Sequence, residues 1–181
     1  MVHTLTILDA GEIARALRRM AGEILEHNPD PAAFALVGIP LRGPELARRL
    51  ADLMMQIEGR RPHVGAVDVS MHRDDLKLRR SLRSVHPTEL PFQVEDLTLI
   101  LVDDVLFTGR TCRAAMDAIS SFGRPARIQL AALLDRGHRE LPIQPDYVGK
   151  SIRTARHELI KVRLESIDHE PDSVHLQKPA P

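Results

Sequence analysis

A chain of 181 residues with 43% hydrophobic and 28% charged side chains has the length and composition of one compact domain, 1–181, with a single substantial core. Its 25 basic and 25 acidic residues cancel, and aromatics make up only 3%, so neither overall charge nor base stacking can be a main device for holding nucleic acid. No apolar run approaches the ~20 residues of a membrane helix, Met1-Val2-His3-Thr4 does not open a signal peptide, and the lone Cys112 excludes an internal disulfide framework, which together predict a cytoplasmic protein.

Asp9 and Glu12 form a capping-box pattern, which predicts a helix start. Ile13, Leu17, Met20, Ala21, Ile24 and Leu25 then recur at helical spacing until Asn28-Pro29 ends the run. Residues 33–39 are almost continuously apolar, as in a strand buried on both faces. Pro44 suits the first turn of a second helix, with Leu46, Leu50, Leu53 and Ile57 along one face. Residues 64–71 read as a strand in which Val67, Val69 and Met71 alternate. The stretch 72–93 breaks this rhythm, setting Arg73, Lys77, Arg79, Arg80 and Arg83 against Asp74, Asp75 and Glu89. So long a polar segment is either a functional lid, over about 70–93, or a disordered insertion, and its place before the strongest motif favours the lid.

Strands are predicted at 97–102, at 128–134 and around Tyr147-Val148, with a helix at 112–122. Ile160, Val162 and Leu164 alternate with Lys161, Arg163 and Glu165, which predicts a half-exposed or edge strand. The tail 169–181 is polar and contains proline, and is expected to fray. Strands alternating with helices give an α/β fold with a mainly parallel central sheet flanked by helices, whose ligands sit at strand-to-helix turns.

One such turn carries most of the chemistry: Leu99-Ile100-Leu101-Val102-Asp103-Asp104-Val105-Leu106-Phe107-Thr108-Gly109-Arg110-Thr111. A buried strand delivers two adjacent carboxylates, and a Thr-Gly-Arg-Thr turn opens a helix. Backbone N–H groups at a helix start, aided by Thr hydroxyls and a Gly that permits close approach, form a phosphate site. The carboxylates can accept from the vicinal hydroxyls of a ribose or hold a hydrated divalent cation. Two acidic residues after a strand are, on their own, more often a turn with a helix cap. The ordered combination is more specific, because it matches a ribose 5-phosphate.

This segment resembles the phosphoribosyl-diphosphate (PRPP) signature of the type I phosphoribosyltransferases. Leu36-Val37-Gly38-Ile39, Arg42-Gly43, Arg73-Asp74-Asp75-Leu76, Gly123-Arg124-Pro125, the run Asp135-Arg136-Gly137-His138-Arg139-Glu140-Leu141-Pro142-Ile143, and Asp146-Tyr147-Val148-Gly149-Lys150 narrow the resemblance to the PyrR family. It extends from about Leu8 to Leu164. It implies a uracil phosphoribosyltransferase that also regulates pyrimidine operons through mRNA, working with Mg²⁺ bound alongside PRPP or diphosphate, and assembled as a homodimer or homotetramer. Carried over, Leu41, Arg42 and Gly43 form a diphosphate loop. Arg42, Arg73, Asp103 and Asp104 are the catalytic set, and 99–111 binds PRPP with no direct protein ligand to metal. Arg136 and the backbone at Ile160 read uracil or UMP in a small hood, about 136–164 with the N-terminal segment. His138 is not a general base on this reading, since no partner residue is evident.

The chain departs from the family at Arg18, Gly22, His27, Leu41, Ser70, Met71, His72 and 151–155. The resemblance implies that several of these are RNA contacts. Arg15, Arg18 and Arg19 leave a basic helix face for leader mRNA, which reads equally as a solvated surface. The alternative to a bifunctional regulator is therefore a phosphoribosyltransferase whose RNA control is lost or altered.

Overall fold

The computed structural model describes residues 3–70 and 87–178. Five strands form a wholly parallel sheet in the order β3-β2-β4-β5-β6: β2 is Phe34–Gly38, β3 His63–Ala66, β4 Thr98–Leu106, β5 Arg127–Asp135 and β6 Tyr147–Ser151. A second, antiparallel sheet joins β1 (His3–Leu8), β8 (Ser173–Lys178) and β7 (Leu159–Arg163) in the order β1-β8-β7. Helices α1 (Ala10–His27), α2 (Gly43–Glu58) and α3 (Arg110–Ser120) cover the parallel sheet, and the short α4 (Glu165–Asp168) links β7 to β8.

The central strands are apolar on both faces because both faces are covered. Leu36, Ile100, Val102, Ala131 and Leu133 point into a core shared with α1 and α2. Their neighbours Ala35, Val37, Leu99, Leu101, Leu130 and Ala132 point into a second core against Cys112, Ala115 and Ile119 of α3. Helix α1 begins as its sequence predicts: Glu12 N–H donates to Asp9 Oδ1 at 2.7 Å, and Asp9 N–H to Glu12 Oε2 at 3.0 Å.

Four expectations are corrected. In α2 the buried row runs Leu46, Leu50, Met54 in steps of four, so Ile57 turns outward at 43% exposure. The strand expected over 64–71 ends at Ala66, whose backbone exchanges two hydrogen bonds of 2.9 Å with Glu89. Val67 and Val69 remain buried in the second core, while Met71 lies outside the described residues. β4 continues through Leu106 instead of stopping at Val102, because β5 pairs with it as far as Asp135. The expected frayed tail 169–181 is instead ordered over 173–178 as β8: Val174 and Leu176 alternate inward, and β8 is the middle strand of its sheet, paired on both edges. Residues 179–181 lie outside the described residues.

Candidate functional site

The site begins where the sheet becomes uneven. β2 ends at Gly38, level with Val102, whereas β4 runs on for Asp103, Asp104, Val105 and Leu106. Ile39 N–H donates to Val102 O at 2.9 Å, and the chain then turns away through 40–42 into α2. The acidic pair therefore lies inside β4, on the stretch that has lost its β2 neighbour. Asp103 is buried and Asp104 partly so. Their carboxylates accept from the next residues' N–H groups, Asp104 N–H to Asp103 Oδ1 and Val105 N–H to Asp104 Oδ1, both at 2.9 Å. Burial pushes the Asp104 carboxyl above its ordinary range, while Arg42 and the bond with Asp103 pull it back. A cation or a ribose hydroxyl at this point would relieve that desolvation.

Arg42 reaches the same point from the other side. It caps the start of α2, and the next residue, Gly43, packs so closely on β4 that a Cβ there would sit 2.3 Å from Val102 O. This close approach sets Arg42 Nη1 3.9 Å from Asp104 Oδ2. Leu41, the residue before Arg42, is 54% exposed.

Beyond β4 the chain wraps a cavity of about 320 Å³ lined by Asp103, residues 105–112 and Glu140. Thr108 O accepts from Glu140 N–H at 3.0 Å and Leu141 N–H at 3.2 Å. Gly109 adopts φ +89° as the N-cap of α3, and Arg110 N–H lies 3.4 Å from Thr108 Oγ1. The cavity thus opens on the N-terminus of an 11-residue helix, with the hydroxyl-bearing Thr108 and Thr111 at its lining. Glu140 ties this rim together, accepting from Arg110 Nε at 2.9 Å and from Arg156. As donors for a metal the site offers two adjacent carboxylates. Among the described residues no group of three or more His, Cys, Asp or Glu side chains gathers that could hold a metal ion. That donor set suits a hard cation such as Mg²⁺, which keeps waters and takes substrate oxygens as ligands.

The match to known proteins agrees with this geometry. Residues 3–167 fit the family model for the phosphoribosyl transferase domain. "Bifunctional protein PyrR" of Roseiflexus sp. (strain RS-1) is 52% identical over 170 residues, covering 94% of this chain and 93% of that one. The protein of that name from Chloroflexus aurantiacus is 54% identical over 162 residues, covering 90% and 89%. The chain belongs to the PyrR family. Solved structures share its fold at low identity. Hypoxanthine phosphoribosyltransferase of Trypanosoma cruzi gives a TM-score of 0.71 at 16% identity, covering 97% of this chain and 91% of that one. HGPRT-ase from Leishmania tarentolae, in complex with GMP, gives 0.70 at 18%, covering 97% of each.

The remaining residues read from the PyrR resemblance are spread more widely. Arg136 is 5% exposed, with its guanidinium 4.2 Å over the Phe107 ring. Its Nε donates to Thr154 Oγ1 at 3.2 Å and its Nη2 to Ala155 O at 2.9 Å. Burial lowers its pKa, with Glu158 opposing. Phe107 in turn packs edge-on to His138, whose Nε2 lies 2.6 Å from Thr154 O. His138 is thereby occupied in holding the 151–155 segment. Ile160 lies in β7, half-buried against the α1-side core, on an outer strand of the antiparallel sheet. Arg15, Arg18 and Arg19 are exposed along α1, but Arg19 donates to Val148 O at 2.9 Å, Gly149 O at 2.5 Å and Glu23 at 2.7 Å. Arg73 and most of the expected lid over about 70–93, residues 71–86, lie outside the described residues. Asp68 N–H donates to Thr88 Oγ1 at 3.0 Å.

Sequence reasoning missed Asp168, which binds Arg42 through both carboxylate oxygens, and Glu140 on the rim of the cavity. Asp168 falls in the segment next to the tail read as frayed, and an Asp four residues after an alternating strand carries no signal of a partner 126 residues away.

Proposed function

We propose that this chain is a uracil phosphoribosyltransferase, forming UMP and diphosphate from uracil and PRPP, and a uridine-nucleotide-responsive regulator of pyrimidine operon expression through mRNA. The observation that carries the enzymatic reading is the overhang of β4. It brings Asp103, Asp104, Arg42 and the 320 Å³ cavity at the start of α3 to one end of the sheet.

The chemistry follows from the arrangement. The 5-phosphate of PRPP occupies the cavity, met by backbone N–H groups at the α3 N-terminus and by the hydroxyls of Thr108 and Thr111. Asp103 and Asp104 accept from the ribose 2- and 3-hydroxyls, which fixes the sugar between the cavity and Arg42. Arg42 faces the diphosphate and offsets the charge it gains as its bond to the ribose C1 breaks, a task the PyrR resemblance assigns to Arg73 as well. Mg²⁺ entering with PRPP would lie beside Asp103 and Asp104 and would supply further charge neutralisation to the leaving group. Uracil attacks C1 directly, so no covalent enzyme intermediate is needed. Positioning and charge stabilisation supply the rate, and closure of the lid keeps water from competing as nucleophile. Arg136 and the outer backbone edge of β7 near Ile160 read the base.

The regulatory half rests on the PyrR relatives and on Arg15 and Arg18 of α1, since Arg19 is engaged by the carbonyls of β6. That engagement favours a second reading, in which the enzyme remains and RNA control is lost or altered. Both readings place the protein in the cytoplasm as a homodimer or homotetramer. The test is paired: UMP formation from uracil, PRPP and Mg²⁺, and affinity for pyrimidine-operon leader RNA with and without UMP. Absence of UMP formation overturns the enzyme. RNA affinity that is weak, indifferent to sequence and indifferent to UMP overturns the regulator.

A further inference from the structure

Arg42 is a long side chain with much rotamer freedom to lose, yet it is held at two points. Its Nε donates to Asp168 Oδ2 at 3.2 Å and its Nη2 to Asp168 Oδ1 at 2.6 Å, a forked pair in which each side chain is only about one-fifth exposed. The fork leaves Nη1, which points at Asp104 Oδ2 from 3.9 Å, beyond hydrogen-bond range. Asp168 is itself a fixed post. Its Oδ2 accepts from Leu164 N–H at 2.8 Å, and its own N–H donates to Leu164 O at 2.7 Å. The hood around it is fastened to α2 a second time: Asp172 accepts from Glu165 N–H at 2.9 Å and pairs with Arg49. Burial alone would raise the Asp168 carboxyl, but the bonds from Arg42 and Leu164 outweigh it and keep the group ionised.

We propose that Asp168 is a positioning residue, which holds the Arg42 guanidinium with Nη1 aimed across Asp104 at the diphosphate end of the site. The inference rests on the phosphoribosyltransferase reading above. It gives the ordered segment 165–178 a role in PRPP affinity as well as in folding.

Asp168→Asn keeps the shape and can still accept from Leu164 N–H, but loses the charge and the fork. Asp172→Asn cuts the neighbouring tie between hood and α2 at Arg49 and leaves Arg42 untouched. The readouts are the Kd of PRPP with Mg²⁺ by calorimetry, and KM and kcat for UMP formation. Asp168→Asn is expected to weaken PRPP about tenfold, the worth of one charge-assisted contact, with the KM for uracil unchanged. The effect should vanish in an Arg42→Ala background, and Asp172→Asn should lower Tm without moving the Kd. Unchanged or tighter PRPP binding in Asp168→Asn overturns the inference. Equal weakening by Asp172→Asn, or an effect that persists without Arg42, does the same. Asp168→Glu keeps the charge and moves it by one methylene, and it carries the comparison if the Asn variant does not fold. A wild-type chain that binds PRPP but makes no UMP contradicts the proposed activity while the Kd comparison still decides the role of Asp168. A wild-type chain that does not bind PRPP overturns both.

Discussion

Gly43→Ala probes the contact that brings Arg42 to the acidic pair. The added methyl would lie 2.3 Å from Val102 O, where ordinary contact begins at 3.4 Å, so about 1 Å of separation must be found between two stretches of backbone. Val102 O cannot yield freely, because it also accepts Ile39 N–H at 2.9 Å where β2 leaves the sheet. Overpacking of this kind costs about 1–3 kcal/mol, and loosening that hydrogen bond about 1 more. Against this stands a gain of under about 1 kcal/mol for Ala over Gly in a helix. The net expectation is about 1–3 kcal/mol of lost stability, or roughly 2–12 °C in Tm for a chain of this size. Thermal unfolding by circular dichroism reads the first effect, and the KM for PRPP reads the displacement of Arg42, expected to rise while the KM for uracil holds. A variant within about 1 °C of wild type in Tm, with an unchanged PRPP KM, would refute the claim that this close approach builds the diphosphate side of the site.

Three further outcomes are expected. Gly109→Ala places a side chain at φ +89° with Ile143 atoms 3.3 Å from the new methyl. It should weaken PRPP by about tenfold or more, since left-handed strain alone costs about 1–2 kcal/mol; unaltered affinity would show that the turn does not shape the phosphate cavity. Burial would raise the Glu45 carboxyl, but bonds from Arg48, Arg49 and Ser166 outweigh it and hold its pKa at about 2. Its stabilisation is therefore complete above the ordinary 4.5 and fades as pH falls from there toward 2. The Tm deficit of Glu45→Gln should be constant at neutral pH and shrink below pH 4.5; a deficit that grows in acid contradicts this linkage. Burial and the nearby Asp103 push the Cys112 thiol up to about 12, so iodoacetamide at about pH 8 should label it only after unfolding. Labelling of the native protein at the unfolded rate would contradict its place under α3.

What could be read in the sequence was what is local. The Asp9–Glu12 capping box, the doubly buried strands and the ordered pairing of carboxylates with a Thr-Gly-Arg-Thr turn each depend on neighbours a few residues apart. What depends on distant strands was not readable. β4 outruns its expected end because β5 accompanies it, and β8 is ordered because β1 and β7 hold both its edges. Strand β1 itself is exposed along most of its length and has no core pattern of its own to announce it. The same distinction divides the site. Asp103, Asp104 and the phosphate turn come from one continuous segment. The partner of Arg42 comes from the opposite end of the chain, in a stretch whose polar composition gave no reason to expect order.

The fold is shared with hypoxanthine phosphoribosyltransferases, while the acidic pair and the phosphate cavity would serve any base, so the base consumed is the most direct test. The purified chain, given PRPP, Mg²⁺ and an equimolar mixture of uracil and hypoxanthine, should form UMP and diphosphate in equal amounts and no IMP. Formation of IMP in preference to UMP, or of no nucleotide at all, would contradict the account.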